Sequence, residues 1–554
     1  NVQWSTVGLI KYEPNKDNKL AASVFYSRDA DDEVRELEGT TENGTLLTTR
    51  LRYAMRSVLF TRLGGAHTIP KAKNLKIDWF GSFAQARRDD PSIRDMVYQR
   101  DQNDPSAPWQ LSGSGATDTF LALKDNTESG AVNFTMPFKQ WRQLEGKVKI
   151  GAWVEGKQRE FDVRRFIFAT APGLSAPSGT GNILINKNIG GGESAANGGT
   201  APFVLNETTQ PIDSYRAHQE IYATYGMLEL PFVRWFRIAG GARFEANRQF
   251  VGPYDAFTGE TDEENTTKIR DNNVLPALSL IFPATDKMNV RISGTQTVAR
   301  PEFREVAPFL FTDFVGGISV LGEPGLDSSK IYNGDVRWEW FPSAEEVIAV
   351  SAFGKYFENP IERTIKPGTS NILVSFQNAK LAYNLGVEFE ARKNLEFMWK
   401  RLSAFSVGVN FAYVYSRVKL GDACNISDPD CTSEMAQDVS TSRTRPLQGQ
   451  APFVINAYVD YDNKKSGTGV RVLYNAVMRN IAFVGGLGLP DVYAEAIHQL
   501  DFVGRQRIYK GLAASLQVQN ILNWPTRWRQ GPERLHNFDV RRGANIMIGL
   551  SYDL

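Results

Sequence analysis

The 554-residue chain carries 63 Lys+Arg against 62 Asp+Glu, for a formal net charge of +1, so no global field favours nucleic acid as a partner. No apolar run reaches the ~18 residues of a membrane-crossing helix, and no composition shift or Pro/Ser-rich linker divides the sequence. No secretory leader stands at Asn1, which is expected of a mature chain or a fragment of a longer one.

Val2–Tyr12 opens as a strand with Val2, Trp4, Ile10 and Tyr12 on one face. Pro14–Asn18 turns it into Leu20–Arg28, and the acidic stretch Asp29–Glu42 is expected to be a long loop. Leu46–Ile69 and Leu75–Arg88 flank the turn Pro70–Asn74; the polar segment Asp89–Thr117 is expected to be a loop. Gly130–Phe138 pairs with Gly146–Phe168, and the longest loop, Ala169–Ser214, follows with its Gly-rich run Ile189–Thr200. Tyr215–Leu230 and Phe236–Phe250 form the next hairpin, then the loop Val251–Asp271 leads to Asn273–Phe282 and Met288–Ala299. The loop Arg300–Ser329 precedes the hairpin of the next paragraph, and Asn359–Asn378 is another loop. Leu381–Asn394 and Ser403–Leu420, Pro452–Asp462 and Thr468–Asn480, and Ile497–Arg505 and Gly511–Leu522 are three further hairpins. The Gly-rich segment Ile481–Ala496 and Asn523–Asp539 read as loops, and Arg541–Leu554 as a last strand with Ala544, Ile546, Ile548, Leu550, Tyr552 and Leu554 on one face. The tally is about 19 strands.

The hairpin Asn333–Ile361 shows the pattern most plainly. Val336, Trp338 and Trp340 share one face of a strand, and Asp335, Arg337 and Glu339 share the other, because side chains alternate with period two. Phe341–Ala344 turns the chain, with Pro342 fixing φ, and Val347–Phe357 returns. Large aromatics beside the turn, with charges opposite, suit a transmembrane barrel: lipid outside, a wet lumen inside, aromatics at the interface. Short turns alternating with long polar loops suit the same architecture, the turns periplasmic and the loops extracellular. A soluble propeller would need evenly spaced blades of short strands, and Gly146–Phe168 is too long for one.

Cys424 and Cys431, the two cysteines, lie in the turn-rich loop GDACNISDPDC. They fit a small disulfide of an oxidising compartment, with two free thiols as the alternative. Asp422, Asp428 and Asp430 in that loop read as a solvated acidic loop rather than a calcium site. His67, His218, His498 and His536 are scattered without metal-ligand spacing. The run at Ile189 lacks the Lys-Ser/Thr of a phosphate cradle, and no nucleophile elbow is found. Neither enzyme chemistry, a cofactor nor a metal is expected.

The segment Asn273–Glu362 resembles the middle of the barrel of TonB-dependent outer-membrane receptors. The phrases that carry the resemblance are NVLPALSL at Asn273–Leu280, TQTVARPEFREVAPF at Thr295–Phe309, WEWFPSAEE and ENPIE at Glu358–Glu362. NLGVEFEAR at Asn384–Arg392, RPLQGQAPFVINAYVDY at Arg445–Tyr461 and LQVQNILN at Leu516–Asn523 follow in the family's order. The resemblance implies an all-β, antiparallel transmembrane barrel of roughly 22 strands in a bacterial outer membrane. Counted back from the end, Val2–Tyr12 matches the family's fourth strand, so residues 1–554 are expected to be barrel, with the N-terminal plug and first three strands outside this sequence. An outer-membrane barrel usually ends in an aromatic residue; this chain ends Tyr552-Asp553-Leu554.

The resemblance also implies function: active import of a scarce or bulky substrate, driven by the TonB complex through the plug and its TonB box. Outer-membrane lipids and an unidentified substrate are the other expected partners, with a surface lipoprotein or other protein as a further one. Candidates for lumen-facing, plug-contacting residues are Arg291, Asp335, Arg337, Glu339, Glu388, Glu390, Arg392, Asp460, Gln517 and Gln519. Phe303, Phe309, Phe311 and Phe314 either pack the loop Ala299–Gly317 against its neighbours or line an extracellular substrate surface; Trp524, Trp528 and Tyr493 carry the same ambiguity. The alternative function is a non-transporting barrel serving as a surface receptor, adhesion or scaffold platform.

Overall fold

The computed structural model describes residues 2–41, 44–104, 106–170, 189–190, 203–307, 309–312, 319–366, 373–420, 441–442, 444–486 and 488–552. Nineteen antiparallel strands form its wall: β1 (Val2–Asn15), β2 (Asn18–Thr41), β3 (Gly44–Ile69), β4 (Leu75–Arg100), β5 (Gln110–Lys139), β6 (Glu145–Thr170), β7 (Tyr215–Val233), β8 (Phe236–Pro253), β9 (Thr267–Thr285), β10 (Met288–Ala299), β11 (Ser329–Trp340), β12 (Val347–Glu358), β13 (Leu381–Asn394), β14 (Phe405–Lys419), β15 (Phe453–Asn463), β16 (Thr468–Val477), β17 (Ile497–Tyr509), β18 (Leu512–Gln519) and β19 (Asn545–Tyr552). Each pairs with its neighbour in sequence. Among the described residues β1 pairs only with β2, and β19 only with β18. Most connections from even to odd strands are long loops and those from odd to even strands are shorter turns, but only two residues join β2 to β3.

The two faces of this wall differ as lipid and water would require. Ile292, Val336, Val350 and Val387 are joined by the register on one face and expose 40–47% of their surface. On the final strand Ile546, Ile548 and Leu550 expose 64–81%. So large an apolar surface has no counterpart on a soluble monomer; in hydrocarbon it is the favourable state. Substituting Val387 by Arg in the full-length protein should lower barrel stability in bilayers by ~2–4 kcal/mol, read as the urea midpoint, while Glu388→Gln on the opposite face should have a far smaller effect.

Two loop expectations give way to strands of the wall, and four others, Arg300–Ser329, Asn359–Asn378, Ile481–Ala496 and Asn523–Asp539, contain short strands outside it. β2 runs to Thr41, and β4 and β5 extend through most of Asp89–Thr117, leaving β2 to β6 between 24 and 30 residues long. A tilted strand crosses a membrane in about 9–11 residues, so this side of the barrel stands well clear of the bilayer. Above the membrane one face carries a buried cluster of Met96, Tyr98, Ala116, Phe168 and Phe203, but these residues stand among charged ones, and sustained apolar alternation is lost although the backbone ladder continues. Cross-strand ion pairs line that extension: Arg50–Asp95 at 2.7 Å, Arg52–Asp90 at 3.0 Å and Arg94–Asp118 at 3.0 Å.

Candidate functional site

The inner face of the wall carries a largely polar lane. Arg291 lies opposite Arg337, Arg337 opposite Ser351, and Ser351 opposite Glu388. Ala349 joins Glu339 to Glu390, and Val347 lies opposite Arg392. Asp335 lies opposite Ser293, on the same face. Further round, Asp460 faces Arg471, Arg471 faces Val503, and Val503 faces Gln517, two residues before Gln519. All ten candidates therefore occupy the face opposite Val336 and Val387.

Their charges are largely satisfied by one another. Like charges directly opposite are unfavourable, yet Arg291 and Arg337 are neighbours, with Glu339 reaching both and Glu390 reaching Arg337 from β13. Arg337 donates to Glu339 at 2.8 Å, to Glu390 at 2.7 Å and to Ser351 at 3.0 Å. Arg291 approaches Glu339 at 3.5 Å. Arg471 donates to Asp460 at 2.7 Å, and Arg392 donates to the Glu345 carbonyl at 2.9 Å. Arg392 and Asp460 line a recess of about 850 Å³ at the short-turn end, together with Arg401, Asp462, Lys464 and Lys465.

At the other end the loop between β10 and β11 folds back into the lumen. A single helical turn, α1 (Phe303–Val306), brings Phe303 and Phe309 to 3% and 7% exposure. They join Leu121, Phe161, Val163, Tyr215 and Val251 from β5 to β8 in one apolar cluster. Phe309 meets Phe161 edge to face at 5.0 Å between ring centroids. Lys157 and Arg159 sit 5.2 and 5.3 Å from the Phe303 ring. These two rings thus take the packing alternative. Phe311 lies on the short strand Leu310–Thr312; Phe314, Cys424 and Cys431 fall outside the described residues, as do Asp422, Asp428 and Asp430.

Polar anchors fix that loop. Arg300 donates to Asp271 at 3.1 Å and to Glu245 at 2.9 Å, and Gln249 donates to the Pro301 carbonyl at 3.0 Å. Burial pushes the Glu305 carboxyl up from its ordinary value, because the charged form loses hydration. At Gly322 an added Cβ would lie 2.0 Å from the Ala307 oxygen, so only glycine permits this approach.

The remaining loops knit into a cap. Leu310–Thr312, Ser319–Leu321, Leu373–Asn378 and Ile361–Lys366 form one small sheet; Asn480–Phe483, Val492–Ala494, Thr526–Gln530 and Leu535–Val540 form another. Ile365 donates its amide to Val484 at 2.8 Å, and Val484 donates to Arg363 at 3.0 Å, which links the two. Ile365, Val374, Phe483 and Val492 make the shared core, with Trp528 against it. Beside it Arg445 grips Glu362 through two bonds of 2.7 Å, with side chains only 2% and 0% exposed. The Gln448 amide adds a third donor to Glu362 at 3.1 Å. Glu362 and Arg445 stand in the sequence only within the longer family-like phrases, and no local signal pairs two residues so far apart. Trp524 donates to the Ala496 carbonyl at 3.0 Å, and Arg479 covers the Tyr493 ring at 3.9 Å.

The histidines have separate local partners. His67 contacts Asn18 and Trp79, His218 contacts Glu220, and His498 contacts Tyr474. His536 approaches Asp539 at 3.8 Å. Among the described residues no group of three His, Cys, Asp or Glu side chains could hold a metal ion.

A family model described as TonB dependent receptor-like, beta-barrel matches residues 10–521. No curated protein matches the sequence. The pyoverdine outer membrane receptor FpvA from Pseudomonas aeruginosa PAO1, bound to pyoverdine, is similar with a TM-score of 0.59 and 10% identity, over 100% of this chain and 77% of that one. The FpvAI–pyocin S2 complex gives 0.57 and 11%, over 100% and 68%. The alcaligin outer membrane receptor FauA from Bordetella pertussis gives 0.51 and 11%, over 94% of this chain; the chain spans 65% of FauA's length. At such identities the likeness is one of fold. With the strand ladder and its two-sided wall, the match over residues 10–521 makes the chain a member of the TonB-dependent receptor-like β-barrel family, a protein of the bacterial outer membrane.

Proposed function

We propose that this barrel imports an iron–siderophore chelate, or a comparably bulky and scarce solute, with TonB supplying the work through a plug domain seated in the lumen. The observation that carries the reading is the lumen itself. A charged, self-neutralised lane runs along one face of the wall, and Phe303–Ala307 with Phe309 pack inward above it. A polar lining of fixed ion pairs suits a plug that must be held and then released. The solved relatives are named for pyoverdine and alcaligin, which favours the siderophore class.

Closure of the wall belongs to the same proposal. In an antiparallel meander of nineteen strands, β1 and β19 run the same way, so antiparallel closure takes an odd number of additional strands. Three strands and a plug preceding Val2 would supply it, and would cover edges that lipid cannot hydrate. Mass analysis of the protein from outer membranes should therefore find chain N-terminal to Asn1.

The test is uptake of iron-55 from a panel of ferric siderophores by iron-starved cells. Loss of one substrate on deleting either this gene or tonB is expected. Undiminished uptake of the whole panel after deletion of this gene would reject import. A protein partner for the knitted cap is the second reading, since one structural relative holds a pyocin; it predicts a surface function that survives loss of TonB.

A further inference from the structure

The wall is not paired to its full height between β9 and β10. The ladder joins Ala277–Thr285 to Met288–Thr295. β9 runs on to Thr267 alongside β8, while β10 follows β11 to the Ala299–Ser329 pair. Among the described residues, Thr267–Pro276 therefore has a strand on one side only. A cavity of about 930 Å³ occupies this notch, with Lys268, Arg270 and Lys330 in its lining.

These cations point to the lipid side. Lys268 and Arg270 share the face of Val274, which is 59% exposed. Arg248 lies opposite Arg270 on β8, on the face of the exposed Phe244. Lys330 shares its face with the exposed Tyr332 and Val336 of β11. Arg270 stands four residues beyond Val274, ~13 Å along the strand, which takes it out of the apolar band to headgroup height.

All four cations are exposed, and among the described residues none is ion-paired. Arg248 and Arg270 face each other directly, an unfavourable placement. Glu220 faces Arg248 from β7 but is engaged by His218 at 3.0 Å. Glu358 lies across from Lys330 on β12 without forming an ion pair. Glu264, Asp271 and Asp327 also line the cavity, and Asp271 is committed to Arg300. Elsewhere on the outer surface Arg164 reaches Glu207 and Arg216 reaches Asp162, both at 2.8 Å. Asn265, Thr266 and Asn359 add neutral hydrogen-bonding groups beside the cations.

We propose that this notch binds the hydroxylated, phosphate-bearing headgroup of an anionic glycolipid of the outer leaflet. Arg248, Lys268, Arg270 and Lys330 take the phosphate oxygens, by charge-assisted bonds that arginine makes two at a time. The proposal rests on the membrane setting of the barrel and is independent of import.

The full-length protein in dodecyl maltoside micelles is titrated with bis-phosphorylated lipid A and, separately, with lipid A stripped of phosphate; native mass spectrometry counts the bound lipid. The phosphorylated form should bind and the stripped form should not. The triple variant Arg248→Gln, Lys268→Gln, Arg270→Gln should bind it at least ~10-fold more weakly, with heat-modifiable migration on gels reporting an intact barrel. Equal binding by the triple variant, or equal binding of the two lipids, overturns the proposal. So does displacement of the lipid by inorganic phosphate at matched concentration, which would mark a free-anion site.

Discussion

Replacing Glu362 with Ala is expected to destabilise the cap by about 3–5 kcal/mol, because it strands the Arg445 guanidinium without a partner in a dry environment. Arg445 has 2% of its side chain exposed and spends both terminal nitrogens on Glu362. Gln448 would lose its acceptor as well. Arg445 pairs with Val418 of β14 through its backbone, which the substitution leaves in place, so the barrel should stay folded while Ile361–Lys366 loses its hold on Phe483 and Val492. Limited proteolysis reads the effect: cleavage within residues 359–380 and 441–452 should rise sharply, with heat-modifiable migration unchanged. The double variant Glu362→Met, Arg445→Met should recover most of the protection, since apolar groups of similar volume often replace a buried pair without loss. Protection unchanged in Glu362→Ala would mean that the pair does not hold the cap.

Truncating Phe309 to Ala should cost about 3–5 kcal/mol at the inner-wall cluster. Its ring is 7% exposed and packs edge to face on Phe161, which also stacks near Tyr215 at 5.1 Å. The loop would remain tethered by Arg300, Asp271 and Gln249, so release should be local. Amide exchange of residues 303–309 is the direct measurement, and it should accelerate with little change at β11. Phe303→Ala should act alike and remove the ring that Lys157 and Arg159 face, while both keep their ion pairs to Asp125. If exchange is unaffected in both variants, the cluster does not anchor the loop.

Much of this architecture was legible because hydrocarbon imposes a strict rule on strands. Val336, Trp338 and Trp340 alternate with Asp335, Arg337 and Glu339, and nothing but the strand period is needed to assign their faces. The rule fails where hydrocarbon ends. Asp89–Arg100 and Gln110–Thr117 are strand, but their apolar residues Met96, Tyr98, Leu111 and Ala116, which pack with Phe168 and Phe203, stand among Arg, Asp, Ser and Thr, and no sustained alternation of polarity remains to read. The cap was illegible for another reason. Its small strands are three to six residues long, and Ile365 finds Val484 from more than a hundred positions away. For Phe303 and Phe309 the burial of the rings was foreseeable from their apolarity, but the wall they pack on, β5 to β8, was not.

The same contrast has a consequence for biogenesis. Every rung of the wall joins strands that follow one another along the chain, so it can be laid down hairpin by hairpin at small loop-closure entropy. The Glu362–Arg445 clasp spans 83 residues, and the second small sheet needs Leu535–Val540, almost the last segment to arrive. The cap must therefore form after the wall is nearly complete. A barrel stalled before β19 would sit in the membrane with its ladder largely made and its outer surface still unassembled, open to any protease or antibody that reaches the cell from outside.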